Sequence, residues 1–172
     1  MARRILDRET VEELIYNAEN LRDRLILELQ ARCGLRIVES LKITLKDVSG
    51  RRLILQGPKS GKESEVAFMP EQIAKRIHDY IQQENLSPED RLFPICYSTA
   101  RAIRRIANRL KVVLTPHDLR RYSATHASRN GIPLEIVSKV ILRHQDLKTT
   151  QAYLGRISEG EAIRWMDILH GR

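Results

Sequence analysis

The stretch that decides the reading is Thr115-Pro116-His117-Asp118-Leu119-Arg120-Arg121-Tyr122, answered further on by Leu142-Arg143-His144 and Thr149-Thr150-Gln151-Ala152-Tyr153. Pro116 suits the first turn of a helix, where its missing N–H costs nothing. On a helix starting there, His117 and Arg120 are i and i+3 and share a face. Tyr153 follows His144 by nine positions across a polar turn. Arginine grips phosphate oxygens bidentately, histidine moves protons near neutral pH, and a tyrosine can act as a covalent nucleophile. Together they point to a phosphate as the group acted on.

Outward from this segment, composition narrows the class. The chain has 172 residues and a net charge of +8, from 30 Lys+Arg against 22 Asp+Glu. That length can close a core as a single domain, and the basic balance favours a polyanionic partner, nucleic acid first and an anionic membrane second. Cys33 and Cys96 stand far apart, so neither a disulfide framework nor a zinc site is indicated, and a reducing cytoplasm fits. No apolar run reaches the ~18 residues of a membrane helix. The N-terminus Met1-Ala2-Arg3-Arg4-Ile5 carries no apolar stretch of signal type.

Periodicity predicts a mostly helical α+β chain. Asp7 caps a first helix, with Leu6 and Val11 as its staple. A second helix runs from Asn20 to a stop at Gly34, and a short one from Arg36 to Leu41 puts Arg36 in its first turn beside Glu39. The period then changes. Lys46-Asp47-Val48, Arg51–Gln56 and Glu65–Phe68 read as three antiparallel strands, with turns at Ser49-Gly50 and at Gly57–Lys62. Pro70 opens another helix carrying Ile73, Ile77, Tyr80 and Ile81. Ser98 caps one that ends at Leu110, with Arg101, Arg105 and Arg109 as a basic stripe. The helix from Pro116 stops at Asn130-Gly131, and Ile132-Pro133 starts the next. Ser158 caps a last helix bearing Ile163, Met166 and Leu169.

The turn Gly57-Pro58-Lys59-Ser60-Gly61-Lys62-Glu63 is no P-loop: its glycine spacing is short, Glu63 stands where Ser or Thr is needed, and a strand follows. It is a hairpin tip carrying two lysines. Of the five histidines, His126 lies across the helix from His117 and reads as packing, and His78 and His170 as incidental. No H-E-x-x-H pattern occurs, so metal-assisted hydrolysis is not indicated.

Taken as a set, these residues resemble the catalytic domain of the tyrosine recombinases, the phage integrase and Xer-type family. Cys33-Gly34-Leu35-Arg36-Ile37-Val38-Glu39-Ser40-Leu41 is similar to the T-G-L-R-x-x-E-L box. Pro58-Lys59-Ser60-Gly61-Lys62 is similar to the lysine hairpin, with Lys59 the better match and Lys62 the reserve. His117-Asp118-Leu119-Arg120 resembles H-x-L-R, Leu142-Arg143-His144 resembles L-G-H, and Thr149–Tyr153 resembles the nucleophile box. The resemblance spans roughly residues 6 to 169. Two departures are visible. Cys33 replaces a Thr or small residue, and Arg143 replaces the glycine before His144.

The resemblance implies a site-specific DNA recombinase. Tyr153 attacks a scissile phosphate to give a 3′-phosphotyrosine, and the strand is then rejoined. Arg36 and Arg120 hold the non-bridging oxygens, Lys59 protonates the leaving oxygen, His117 assists the tyrosine proton, Glu39 orients His117, and His144 donates to the phosphate. Arg101, Arg105, Arg109 and Arg143 are candidates for DNA-backbone contacts. The resemblance implies no metal and no cofactor, double-stranded DNA as partner, a homo-oligomer on DNA formed through the C-terminal helix, no membrane, and a cytoplasmic, nucleoid-associated location. It also implies a single catalytic domain over 1–172, with the family's N-terminal DNA clamp missing because the chain is truncated or naturally minimal; DNA binding is then expected to be weak and salt-sensitive. A type IB topoisomerase-like relaxase would share the chemistry, and a non-catalytic DNA-binding regulator would keep the basic helices without the nucleophile.

Overall fold

A computed structural model describes residues 6–58, 61–96, 107–108, 110–115, 117–151, 154 and 159–170. Helix α1 (Arg8–Tyr16) begins where expected: the Asp7 carboxylate accepts from Thr10 N at 2.7 Å, and Leu6 and Val11 are both buried. Helix α2 (Leu21–Cys33) is capped by Asn20, whose side chain accepts from Asp23 N at 2.9 Å. Helices α1, α3 (Ile37–Lys42), α4 (Glu71–Glu84) and α5 (Asp118–Arg129) all pack against it. Leu25, Ile26, Leu27 and Leu29 are therefore buried on more than one face, and so is Glu28, whose Oε1 is 2.6 Å from Arg76. A helix buried nearly all round is the core element of its domain.

The sheet has three antiparallel strands in the order β1 (Val48–Ser49), β2 (Arg52–Gln56), β3 (Ser64–Phe68). Leu53, Leu55 and Ala67 face the core, while Val66 and Phe68 face outward. The first strand is shorter than the sequence suggests, because Leu45–Asp47 forms a 3-10 turn. Asp47 causes this. Its carboxylate accepts from Thr44 N at 2.9 Å and Thr44 Oγ1 at 2.7 Å, closing the turn, and from Gln56 Nε2 at 3.0 Å. Helix α4 follows Pro70 as expected, with Ile73, Ile77 and Tyr80 buried, and ends at Asn85 with φ +51°.

Helix α5 starts at Asp118 rather than Pro116, so His117 is its cap residue. His126, expected to pack, is exposed but stacks on Tyr122 at 5.2 Å between ring centres. After Gly131, with φ +83°, α6 (Leu134–Ile136) passes into a π-helical turn at Val137–Ile141. Helices α7 (Leu147–Gln151) and α8 (Glu159–His170) complete the described chain. Glycine at 131 leaves room for Trp165 of α8, since a Cβ there would come within 3.0 Å of the indole. Arg129 pairs with Glu161 at 3.3 Å, and Arg164 donates to Arg129 O at 2.9 Å. The fold is thus mostly helical with one small antiparallel sheet.

Candidate active site

The site is built where α2 ends. Gly34 has φ +64°, and a Cβ on it would lie 2.7 Å from Ile141 O and 2.8 Å from Ile141 Cγ2. Only glycine satisfies both the left-handed turn and this approach of the π-helical segment. Its carbonyl is turned inward and accepts from Arg120, and from Arg143 at 3.3 Å.

Two residues on, Arg36 caps α3 with extended backbone rather than sitting in its first turn. Glu39 reaches back to accept from Arg36 N at 2.7 Å, and its other oxygen accepts from the Arg36 guanidinium. This is the acidic half of a capping box, placed where the helix dipole is positive. Two further guanidiniums close on the same carboxylate. Arg143 donates to Glu39 Oε2 at 2.9 Å, and Arg120 lies 3.9 Å from that oxygen. Arg120 projects from the first turn of α5, has 0% exposure, and donates to the carbonyls of Gly34 and Leu142. Arg36 keeps 24% of its side chain exposed and so forms the outward edge of the cluster.

Burial pushes the Glu39 carboxyl up, but Arg143, the Arg36 N–H and the Arg36 and Arg120 charges outweigh it and hold it below the usual carboxylate range. Burial lowers Arg143 from its ordinary value, and Glu39 opposes this. His144 is pushed down to about 4, first by burial and then by the cations of Arg120, Arg36 and Arg143. Its imidazole is therefore neutral near pH 7. Its Nδ1 lies 2.9 Å from Thr150 Oγ1, and its backbone N–H donates to Ser138 O at 2.9 Å.

A cleft of about 330 Å³ opens beside this cluster, lined among others by Lys62, Glu65, Lys139, Arg143 and His144. It lies between β3 and the segment following the π-helical turn. A larger open groove of about 1050 Å³, lined by residues including Leu45, Arg51, Lys75 and Ile81, contains none of the candidate residues. Among the described residues, no group of three or more His, Cys, Asp or Glu side chains is placed to hold a metal ion, and no helix is long and apolar enough to cross a membrane.

Of the residues singled out from sequence, Arg36, Glu39, Arg120, Arg143 and His144 converge, and Lys62 lines the same cleft as the last two. His117 is exposed at the α5 N-terminus, three positions before Arg120. Lys59, Tyr153, Arg101, Arg105 and Arg109 lie outside the described residues. Two expectations change. Arg143, expected on the DNA backbone, is turned inward with only 4% of its side chain exposed, because Glu39 and Glu65 draw it there. Glu39, expected to orient His117, directs its oxygens to Arg36 and Arg143. Glu65 went unnoticed in the sequence. Its signal is register: it pairs with buried Leu55, a position where a carboxylate faces the core.

The Phage integrase family model matches residues 4–159. The tyrosine recombinase XerA of Saccharolobus solfataricus is 30% identical over 151 residues, covering 86% of this chain and 50% of that protein. The tyrosine recombinase XerD of Pseudomonas putida is 32% identical over 146 residues, covering 77% of this chain and 49% of that protein. The chain spans about half the length of the curated relatives it matches. In fold it is similar to the crystal structure of XerA recombinase (TM-score 0.81, 23% identity, 99% of this chain and 64% of that one) and to the catalytic domain of bacteriophage HP1 integrase (TM-score 0.71, 18% identity, 98% of each). It is also similar to XerH site-specific recombinase bound to palindromic difH substrate (TM-score 0.72, 19% identity, 96% of this chain and 52% of that one). With the family model spanning the arginine cluster, the lysine hairpin and the tyrosine segment alike, the chain belongs to the phage integrase family.

Proposed function

We propose that this chain cleaves and rejoins DNA strands by transesterification, as the catalytic part of a site-specific recombinase. The observation that carries the reading is the convergence of Arg36, Arg120 and Arg143 on one carboxylate, with His144 close enough to feel all three cations. Thr150, three residues before Tyr153, is hydrogen-bonded to that histidine. Three guanidiniums against Glu39 and Glu65 leave positive charge in excess in a largely desolvated place, which favours the charge that builds on phosphorus-bound oxygens in the transition state.

The Tyr153 oxygen forms a bond to phosphorus as the P–O5′ bond breaks. The tyrosine proton passes toward His117, and the leaving 5′-oxygen takes a proton from Lys59, or from Lys62 in reserve. Arg36 meets one non-bridging oxygen. Arg120 meets the other after exchanging a carbonyl partner for it. A Thr150 hydroxyl donating to Nδ1 fixes the His144 tautomer with the proton on Nε2, from which the neutral ring donates to the phosphate. Attack of the 5′-hydroxyl, or of one from a partner strand, reverses the step and restores the tyrosine. The phosphodiester bond energy is kept in the phosphotyrosine, so the cycle needs no nucleotide.

Double-stranded DNA is the substrate in this reading, in keeping with the relatives named as recombinases and with XerH bound to its DNA site. The apolar side of α8, with Ile163 56% and Met166 57% exposed, would seat on a neighbouring copy on DNA. A nicked duplex that traps the covalent product tests the reaction. Wild type should give a denaturation-resistant, protease-sensitive adduct, and Tyr153→Phe should give none while still binding DNA. An adduct that persists in Tyr153→Phe moves the nucleophile elsewhere.

A further inference from the structure

Arg143 occupies a position that glycine would fill without strain. Its φ is +53°, a left-handed conformation that costs an L residue about 1–2 kcal/mol. The side chain it carries there is buried, and its Nε makes an ion pair without a hydrogen bond. One guanidinium nitrogen donates to Glu39 Oε2 at 2.9 Å, another donates to Ile141 O at 2.8 Å, and Nε stands 3.8 Å from Glu65 Oε2. Glu65 is the first inward-facing residue of β3 after the turn that carries the two lysines. Its side chain is 7% exposed, and its strand partner is the buried Leu55. A carboxylate there needs a cation, and Arg143 is the one that also holds Glu39. The two carboxylates belong to different parts of the fold, one to the α2–α3 junction and the other to the hairpin.

We infer that Arg143 is a positioning residue that pins the lysine-bearing hairpin to the Arg36–Glu39 centre by bridging Glu65 and Glu39. Besides it, the hairpin is held by its strand ladder, by turn bonds such as the 3.1 Å one from Gly57 N to Glu63 O, and by packing of β2 on α3 and of β3 on the π-helical turn; among the described residues Arg143 is the side chain that joins Glu65 to the Arg36–Glu39 centre by charge. With it, the cleft wall bearing Lys62 is fixed against the wall bearing His144. The consequence for chemistry rests on the function proposed above, because it assumes that a hairpin lysine protonates the leaving oxygen. The pinning itself does not depend on that assumption.

Two measurements on the full chain separate these. Amide hydrogen exchange reads the pinning directly. In Glu65→Gln, which keeps the Arg143–Glu39 pair, residues 61–65 should exchange at least ~10-fold faster while α2 is unchanged, and in Arg143→Gly, which also removes the left-handed strain, they should accelerate by more than α2 does. Arg143→Lys should fall between, since it keeps charge without the fork. Cleavage then reads the consequence. Glu65→Gln, which leaves all three guanidiniums in place, should slow on an ordinary phosphodiester by ~10-fold or more, and by less than ~2-fold on a 5′-bridging phosphorothiolate, whose sulfur leaves without a proton. Hairpin exchange unchanged in both variants, or accelerated equally throughout the chain, overturns the inference. Equal slowing on the two substrates overturns the link to proton transfer. If wild type forms no adduct at all, the proposed function fails, and the exchange data still decide the pinning.

Discussion

The surroundings of Glu39 and the outer side of α8 are inverted versions of an ordinary protein. Around Glu39, charge is inside: Arg120, Arg143 and Glu39 have side chains 0%, 4% and 10% exposed. On α8, apolar groups are outside: Ile163, Met166, Ile168 and Leu169 are 56–71% exposed. Each inversion works against the stability of the isolated fold, and they do so differently. The buried cluster is internally balanced by ion pairs and carbonyls, so it is stable only while every member is present. The helix surface has no such compensation among the described residues. The comparison separates a site that is assembled by folding from a surface that folding leaves open.

Removing the hub should therefore cost most. Glu39→Ala leaves three guanidiniums facing one another in a desolvated place, and we expect a loss of about 3–5 kcal/mol, read as a lower denaturant midpoint with an unchanged slope. A loss under ~1 kcal/mol would mean that the cluster is wetter than its burial implies. Next in size is Gly34→Ala, which adds a Cβ against Ile141 O in a left-handed turn and should cost about 2–4 kcal/mol. A variant as stable as wild type would show that the π-helical segment gives way easily.

A smaller effect comes from pH. His144 is held neutral down to about 4 in the folded chain, while an unfolded histidine takes its proton near 6.5. Between those values the unfolded state binds more protons, so stability is fully present above about pH 6.5 and declines as pH falls toward 4. Denaturant midpoints at pH 7 and pH 5 should differ more in wild type than in His144→Gln; equal differences would assign the decline to other groups. Smallest of all should be the double change Ile163→Ser with Met166→Ser, within about 0.5 kcal/mol in the isolated chain because both side chains are already in water. Should it destabilise by several times that, the helix surface is covered in solution and the contrast with the cluster disappears.

What could be read from sequence follows from the range of each interaction. The cap Asp7, the helix start near Asn20, the stop at Gly34 and the β2–β3 hairpin depend on residues a few positions apart, and the observed elements agree with them. Lys46 and Asp47 read as strand from alternation but belong to the 3-10 turn Leu45–Asp47, because Asp47 spends its carboxylate on Thr44, a local competition that alternation does not reveal. The arginine boxes announced Arg36, Arg120 and His144 as a set. Nothing local announced that Arg143 would turn inward, since its partners lie at Glu39 and Glu65, and the pairing exists only after the hairpin and the π-helical turn meet. The π-helical turn itself has no sequence period to betray it.

The seat of Arg120 has a consequence for the chain as it is made. Its two carbonyl acceptors come from Gly34 and Leu142, one early and one late in the sequence. A ribosome presents the N-terminal one first. A nascent chain can therefore fold α2, α4 and the sheet around their apolar residues while Arg120 still lacks its second acceptor and Glu39 still lacks Arg143. Long-range closures of this kind come late in folding. An interrupted translation product ending before residue 142 would hold much of the hydrophobic core and Arg36, yet contain neither His144 nor Tyr153. For a protein proposed to break DNA, synthesis order is thus a safeguard: the scaffold precedes the chemistry, and no product ending before Tyr153 carries the proposed nucleophile.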